Sequence, residues 1–179
     1  MKNNIILIGF MGAGKTSVGE TLSAKYGMEL LDTDQLIEKK AGMTISKIFA
    51  EQGEDSFRAL ETGVLKELLA GADHTVVSVG GGLPLREENR AVLKQLGAVI
   101  YLKVKPETVL ERLKGDTTRP LLQGGDVERR VNDLLEYRSP VYESAAHRVI
   151  EVDGLDLDEI ADEIYRITYD NREDEGKTI

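Results

Sequence analysis

Ile5-Ile6-Leu7-Ile8-Gly9-Phe10-Met11-Gly12-Ala13-Gly14-Lys15-Thr16 is the stretch that decides the fold of this chain. The first four residues are continuously apolar, the mark of a strand buried on both faces. Gly9 to Thr16 then fits G-x-x-x-x-G-K-[ST]. Behind the loop, Val18, Leu22 and Tyr26 recur at helical spacing from Lys15 onward. Glycines let the backbone curl so that its N–H groups point at phosphate oxygens, and the helix N-terminus adds potential for an anion. Lys15 is placed to reach β- and γ-phosphates, and Thr16 to offer its hydroxyl to Mg²⁺. A chance match occurs in on the order of one chain in a hundred of this length. The strand before the loop and the helix after it lower that further, so the segment reads as a nucleoside triphosphate site.

Working outward, short apolar runs alternate with helical periods, which implies an α/β fold with a mainly parallel sheet. Further strands are expected at Met28 to Leu31, His74 to Val79, Ala98 to Leu102 and His147 to Val152. Helices are expected at Gln35 to Lys40, Thr44 to Leu69 with a break near Gly53, Glu87 to Leu96, and Pro106 to Lys114. Another begins near Val127, with Val131, Leu134 and Leu135 on one face. It is expected to end at Arg138, just before Ser139-Pro140. Leu157, Ile160, Ala161, Ile164 and Ile167 mark an amphipathic last helix. Residues 1–169 form one domain, and 170–179 read as a polar, frayed tail. Gly115 to Gly125 has no hydrophobic period and reads as a loop.

Composition narrows the function. The chain has 179 residues, enough for one domain with a real core. It has no cysteine, which excludes a disulfide framework and thiolate metal sites and fits a reducing, cytoplasmic setting. Its formal net charge of -9 argues against a nucleic-acid partner, because phosphate-backbone binding needs clustered cations. No apolar run is long enough to span a membrane. An anionic substrate must be drawn in by a local group of basic residues.

Candidate site residues follow from strand ends. The third strand ends in glycine, not in the Asp that many phosphate-loop proteins use for Mg²⁺. The available carboxylates are in Asp32-Thr33-Asp34, after the second strand. In an extended segment Asp32 and Asp34 would point the same way, one toward Mg²⁺ and one toward an acceptor hydroxyl. The alternative is a helix cap, since an Asp before Gln35-Leu36-Ile37 is a good N-cap. Gly80-Gly81-Gly82 reads as a bare backbone wall for a small substrate, or as a plain tight turn. Arg119, in Thr118-Arg119-Pro120-Leu121-Leu122, reads as a cation on a lid that closes over the triphosphate. Arg58 and Arg138 taken singly could be surface residues. His74 and His147 read as structural or exposed, and Tyr137 and Tyr142 as packing residues.

Taken in order, these motifs resemble the shikimate kinase family from about Asn4 to Ile167. The set is the loop Gly9 to Thr16, Asp32-Thr33-Asp34, Phe57-Arg58 with Glu61, Gly80-Gly81-Gly82, Arg119-Pro120-Leu121-Leu122, and Tyr137-Arg138-Ser139-Pro140-Val141-Tyr142. The resemblance implies a three-layer fold, with a five-stranded parallel sheet of order 2-3-1-4-5 and helices on both faces. It implies a substrate region at about 33–61 and a lid at about 115–125. The implied activity is ATP-dependent phosphorylation of the 3-hydroxyl of shikimate by a cytoplasmic monomer. Gly12, Ala13, Gly14, Lys15, Thr16, Ser17 and Arg119 would bind ATP phosphates. Thr16 and Asp32 would hold Mg²⁺. Asp34, Arg58, Gly80, Gly81, Gly82 and Arg138 would bind shikimate, with Asp34, Lys15 and Arg119 catalytic. The residues alone leave a gluconate or nucleotide kinase open. A regulatory phosphate-loop module is disfavoured by the missing strand-end Asp and the missing Asn-Lys-x-Asp.

Overall fold

A computed structural model describes residues 2–114 and 125–175, with the backbone alone over 170–175. Five strands form the sheet: β1 (Ile5–Ile8), β2 (Glu29–Asp32), β3 (Thr75–Ser78), β4 (Ala98–Lys103) and β5 (Arg148–Glu151). All pairings are parallel, in the order β2-β3-β1-β4-β5. Every residue of β1 and β3 is buried, as continuous apolar runs at the centre of a parallel sheet require. The helices are α1 (Lys15–Tyr26), α2 (Thr33–Ala41), α3 (Ile45–Gly71), α4 (Glu87–Leu96), α5 (Pro106–Arg112), α6 (Val127–Ala145) and α7 (Leu157–Glu175). They cover both faces of the sheet, with α1 packed on α7 in one group and α4 packed on α3 and α6 in another. The C-terminal edges of β1, β2 and β3 therefore open onto one crevice, where ligands bind in such sheets.

Caps set the helix boundaries. Asp32 accepts hydrogen bonds from the N–H groups of Asp34 and Gln35, Thr44 accepts from Lys47, and Asp126 accepts from Arg129. Gly27 and Gly42 close α1 and α2 in the left-handed conformation. Gly53 (φ 81°, ψ 172°) breaks α3 into two segments, as expected from the sequence.

Three expectations are corrected. α6 does not end at Arg138 but runs through Pro140 to Ala145. Proline there removes one helical N–H, yet Tyr142 and Ala145 beyond it are fully buried, and that packing outweighs the lost bond. Tyr137 is no packing residue, being 69% exposed, whereas Tyr142 is buried. α7 continues to Glu175, past the point where a frayed tail was expected. The expected lid, with Arg119, Leu121 and Leu122, lies outside the described residues, as do 176–179.

One buried side chain ties the base of the sheet together. Asn4 is fully buried; its amide donates to the carbonyls of Ala72 (3.1 Å) and Leu96 (2.9 Å), and its oxygen accepts from the Thr75 N–H (3.0 Å). Asn4→Ala would take their Asn4 partner from the Leu96 carbonyl and the Thr75 N–H, and leave the Ala72 carbonyl with Lys2 Nζ (3.2 Å). Urea unfolding should show a loss of about 2–4 kcal/mol, at about 1 kcal/mol or more per orphaned group.

Candidate active site

The phosphate loop is built as its sequence requires. Gly12 (φ 77°) and Gly14 (φ 91°) both take left-handed backbone. A Cβ on Gly9 would lie 2.7 Å from the Leu102 carbonyl oxygen, so the strand-to-loop corner admits no side chain. Gly14 is the N-cap of α1 and, among the described residues, no side chain caps the helix, so its first N–H groups are left to the loop's mouth. Lys15 Nζ donates to the carbonyls of Gly9 (2.8 Å) and Phe10 (3.1 Å), which holds its charge across the loop. Thr16 and Ser17 lie exposed in the first turn of α1. Arg112, which the sequence did not single out, donates to the Gly12 carbonyl (2.7 Å) and brings a second cation to the loop from the end of α5.

Asp32 and Asp34 do not share an extended segment. Asp32 ends β2 and caps α2; Asp34 already lies in the first helical turn. Both backbone hydrogen bonds to Asp32 fall on one oxygen, Oδ1 (2.9 and 3.2 Å). Its Oδ2 accepts no hydrogen bond among the described residues, so capping and metal binding are compatible in one carboxylate. An Asp oxygen with the Thr16 hydroxyl is a hard, oxygen-only donor pair, which fits Mg²⁺ completed by phosphate oxygens and water.

The glycine triplet gathers the remaining groups. A Cβ on Gly80 would lie 2.6 Å from Asp34 Oδ1, and one on Gly82 would lie 2.3 Å from Arg58 Nη1. At Gly81 the nearest groups are the Gly9 carbonyl and Tyr142 Oη, both at 3.5 Å, and Arg138 Nη1 at 3.6 Å. Each glycine thus fronts one of the three side chains that the family resemblance implies as substrate ligands. The wall is fastened from behind. Gly80 N–H donates to Thr33 Oγ1 (2.9 Å), and the Asn89 amide donates to the Leu83 carbonyl (2.9 Å).

The two arginines are held differently. Arg58 is paired with Glu54 (3.1 Å) and with Glu61 (2.7 Å), whose side chain is only 2% exposed. Arg138 is buried, with its guanidinium 5.8 Å from the centre of the Phe10 ring and its Nε without a hydrogen-bond partner among the described residues. A buried cation with an unmet donor is costly unless an anion completes it. The site therefore offers a cationic corner, an adjacent carboxylate and a phosphate loop along one crevice. That combination defines a phosphate-loop kinase acting on a small, hydroxylated anion.

Comparison with known proteins narrows the class. A sequence model of the shikimate kinase family matches residues 11–168. The shikimate kinase of Thermodesulfovibrio yellowstonii is 44% identical over 163 residues, covering 91% of this chain and 93% of that one. The structure of the Acinetobacter baumannii shikimate kinase in complex with shikimate superposes with a TM-score of 0.89 at 43% identity, covering 94% of each chain. The Aquifex aeolicus shikimate kinase structure gives 0.78 at 32% identity, over 94% of this chain and 98% of that one. The chain belongs to the shikimate kinase family.

Glu61 generates a pH prediction. Burial is the largest effect on its carboxyl and pushes it from 4.5 up to about 7, against the opposing pull of Arg58. Asp34 adds to the rise. Between these values the folded chain binds a proton that the unfolded chain does not. Its contribution to stability is therefore full below about 4.5 and is lost as pH rises through about 7. Urea midpoints measured across that window should fall with pH for the parent protein and show a flatter profile for Glu61→Gln.

Proposed function

We propose that this protein transfers the γ-phosphoryl group of ATP to the 3-hydroxyl of shikimate, giving shikimate 3-phosphate on the route to chorismate and the aromatic amino acids. The observation that carries the reading is the triplet Gly80 to Gly82, with Asp34, Arg138 and Arg58 each against one of its members. Shikimate is a small ring with one carboxylate and three hydroxyls. Arg58 and Arg138 take the carboxylate through charge-assisted hydrogen bonds, which is how a chain of net charge -9 accepts an acidic substrate. Gly80, Gly81 and Gly82 let the ring approach the backbone.

Asp34 accepts a hydrogen bond from the 3-hydroxyl and takes its proton as the new bond to phosphorus forms. Gly12, Ala13 and Gly14 hold ATP phosphates through backbone N–H groups, with Thr16 and Ser17 at the start of α1. Lys15 stabilises charge on the transferring group, joined by Arg119 when the segment at about 115–125 closes and excludes water. Thr16 and Asp32 would hold Mg²⁺, which when bound neutralises charge on the β- and γ-oxygens. The reading includes action as a cytoplasmic monomer, without nucleic acid or membrane. The acidic charge supports the part of it that concerns nucleic acid. Among the described residues no helix is long and apolar enough to cross a membrane.

ADP release by the purified protein, followed with shikimate and with other hydroxy acids, tests the acceptor. Release that ignores shikimate, or that is equal with gluconate, would overturn the reading. Arg58→Ala should raise the KM for shikimate roughly 10–100-fold, the loss of a charge-assisted contact. The KM for ATP should stay within about twofold, since separate sites couple weakly. An equal fall in ATP affinity would show that Arg58 serves both substrates.

A further inference from the structure

We propose that Tyr142 is a positioning residue for the acceptor's carboxylate: its hydroxyl fixes the Gly81 peptide and the Arg138 guanidinium in one arrangement. The inference rests on the reading that Arg138 takes that carboxylate. Tyr142 follows Arg138 by one helical turn, on the part of α6 that continues past Pro140. Its side chain is fully buried, and its hydroxyl donates to the Gly81 carbonyl at 2.7 Å. Tyr142 Oη and Arg138 Nη1 converge on Gly81, within 3.5 and 3.6 Å of where its Cβ would be. The Gly9 carbonyl, at the root of the phosphate loop, meets the same point at 3.5 Å. One hydroxyl thus bridges α6, which carries a cation for the substrate, to the glycine wall on which the substrate rests.

Arg138 needs such a neighbour. Its Nε is buried and meets no partner among the described residues, which do not fix the guanidinium along that edge. It lies over Phe10, a contact that sets its height but hardly its rotation. The Tyr142 ring is itself held against Tyr101, with centroids 5.2 Å apart and planes tilted by 44°. Burial pushes the Tyr142 hydroxyl up to about 12, with Arg138 opposing, so it keeps its proton and remains a donor throughout the working pH range.

The test is Tyr142→Phe, which keeps the ring and removes only the hydroxyl. It should raise the KM for shikimate about 5–10-fold, one buried hydrogen bond's worth, while kcat and the KM for ATP stay within about twofold. Tyr101→Phe is the control. It removes a hydroxyl from the same aromatic pair, one that meets Ser139 Oγ (3.4 Å) and not Gly81, and should leave the shikimate KM unchanged. Measuring Tyr142→Phe again on an Arg138→Met background separates positioning from packing. If Tyr142 acts through Arg138, the second substitution adds less than about twofold there.

An equal increase in both backgrounds, no increase at all, or an effect on ATP instead of shikimate would overturn the assignment. An Arg138→Met protein with unchanged shikimate KM would instead sink the reading of Arg138, and the role of Tyr142 with it. Melting temperatures of all variants guard against a folding artefact. If Tyr142→Phe melts well below the parent, calorimetric binding of shikimate to the folded protein at low temperature decides the same question.

Discussion

Three peptide units without side chains, Gly80 to Gly82, are the constraint on which the acceptor half of this site depends. The space that Cβ atoms would occupy at Gly80 and Gly82 is taken by Asp34 and Arg58, while at Gly81 Tyr142 and Arg138 stand at ordinary contact distance, 3.5 and 3.6 Å. Asp34 and Arg58 come from the consecutive, mutually packed helices α2 and α3, and Arg138 and Tyr142 come from α6, much further along the chain. The triplet follows β3, hydrogen-bonded to β1, so the wall stands next to the phosphate loop. An alanine at Gly80 or Gly82 would force the Asp34 carboxylate or the Arg58 guanidinium out of its present position beside the wall.

The electrostatics answer a problem posed by composition. A chain with net charge -9 repels acidic ligands at long range, yet its two proposed substrates are anions. The solution is local. Lys15 and Arg112 lie on the phosphate loop, and Arg58 and Arg138 lie beside the glycines. Glu61 tempers this corner. As a buried partner 2.7 Å from Arg58 it orients the guanidinium, and because burial raises its carboxyl to about 7 it can take up a proton instead of standing as an uncompensated charge.

Much of this was legible in the sequence, for identifiable reasons. The central strands β1, β3 and β4 are short apolar runs and visible as such, the edge strands β2 and β5 keep only a two-residue apolar core each, and the glycine loop carries its mechanism in its spacing. The strand order came through resemblance, since nothing local distinguishes one buried strand from another. What local reading could not reach depends on long-range contact. Ser139-Pro140 looks like a helix stop, and only the burial of Tyr142 and Ala145 reveals that α6 continues. That error hid the alignment of Arg138 with Tyr142. The cap expected at the Asp before Gln35 falls on Asp32 instead, and sequence cannot show that one of its oxygens takes both backbone bonds while, among the described residues, the other takes none. Arg112 sits in an ordinary amphipathic helix, and no motif marks its reach to Gly12.

The central claim is that the phosphate loop and the glycine wall serve one in-line transfer between two bound anions. Phosphorus NMR of the purified protein with ATP, Mg²⁺ and shikimate tests it most directly. The account predicts one new phosphomonoester resonance, coupled to the proton on carbon 3 of the ring and growing in step with ADP, with inorganic phosphate near background. Accumulation of inorganic phosphate in its place, or a phosphoryl group on another hydroxyl, would contradict it.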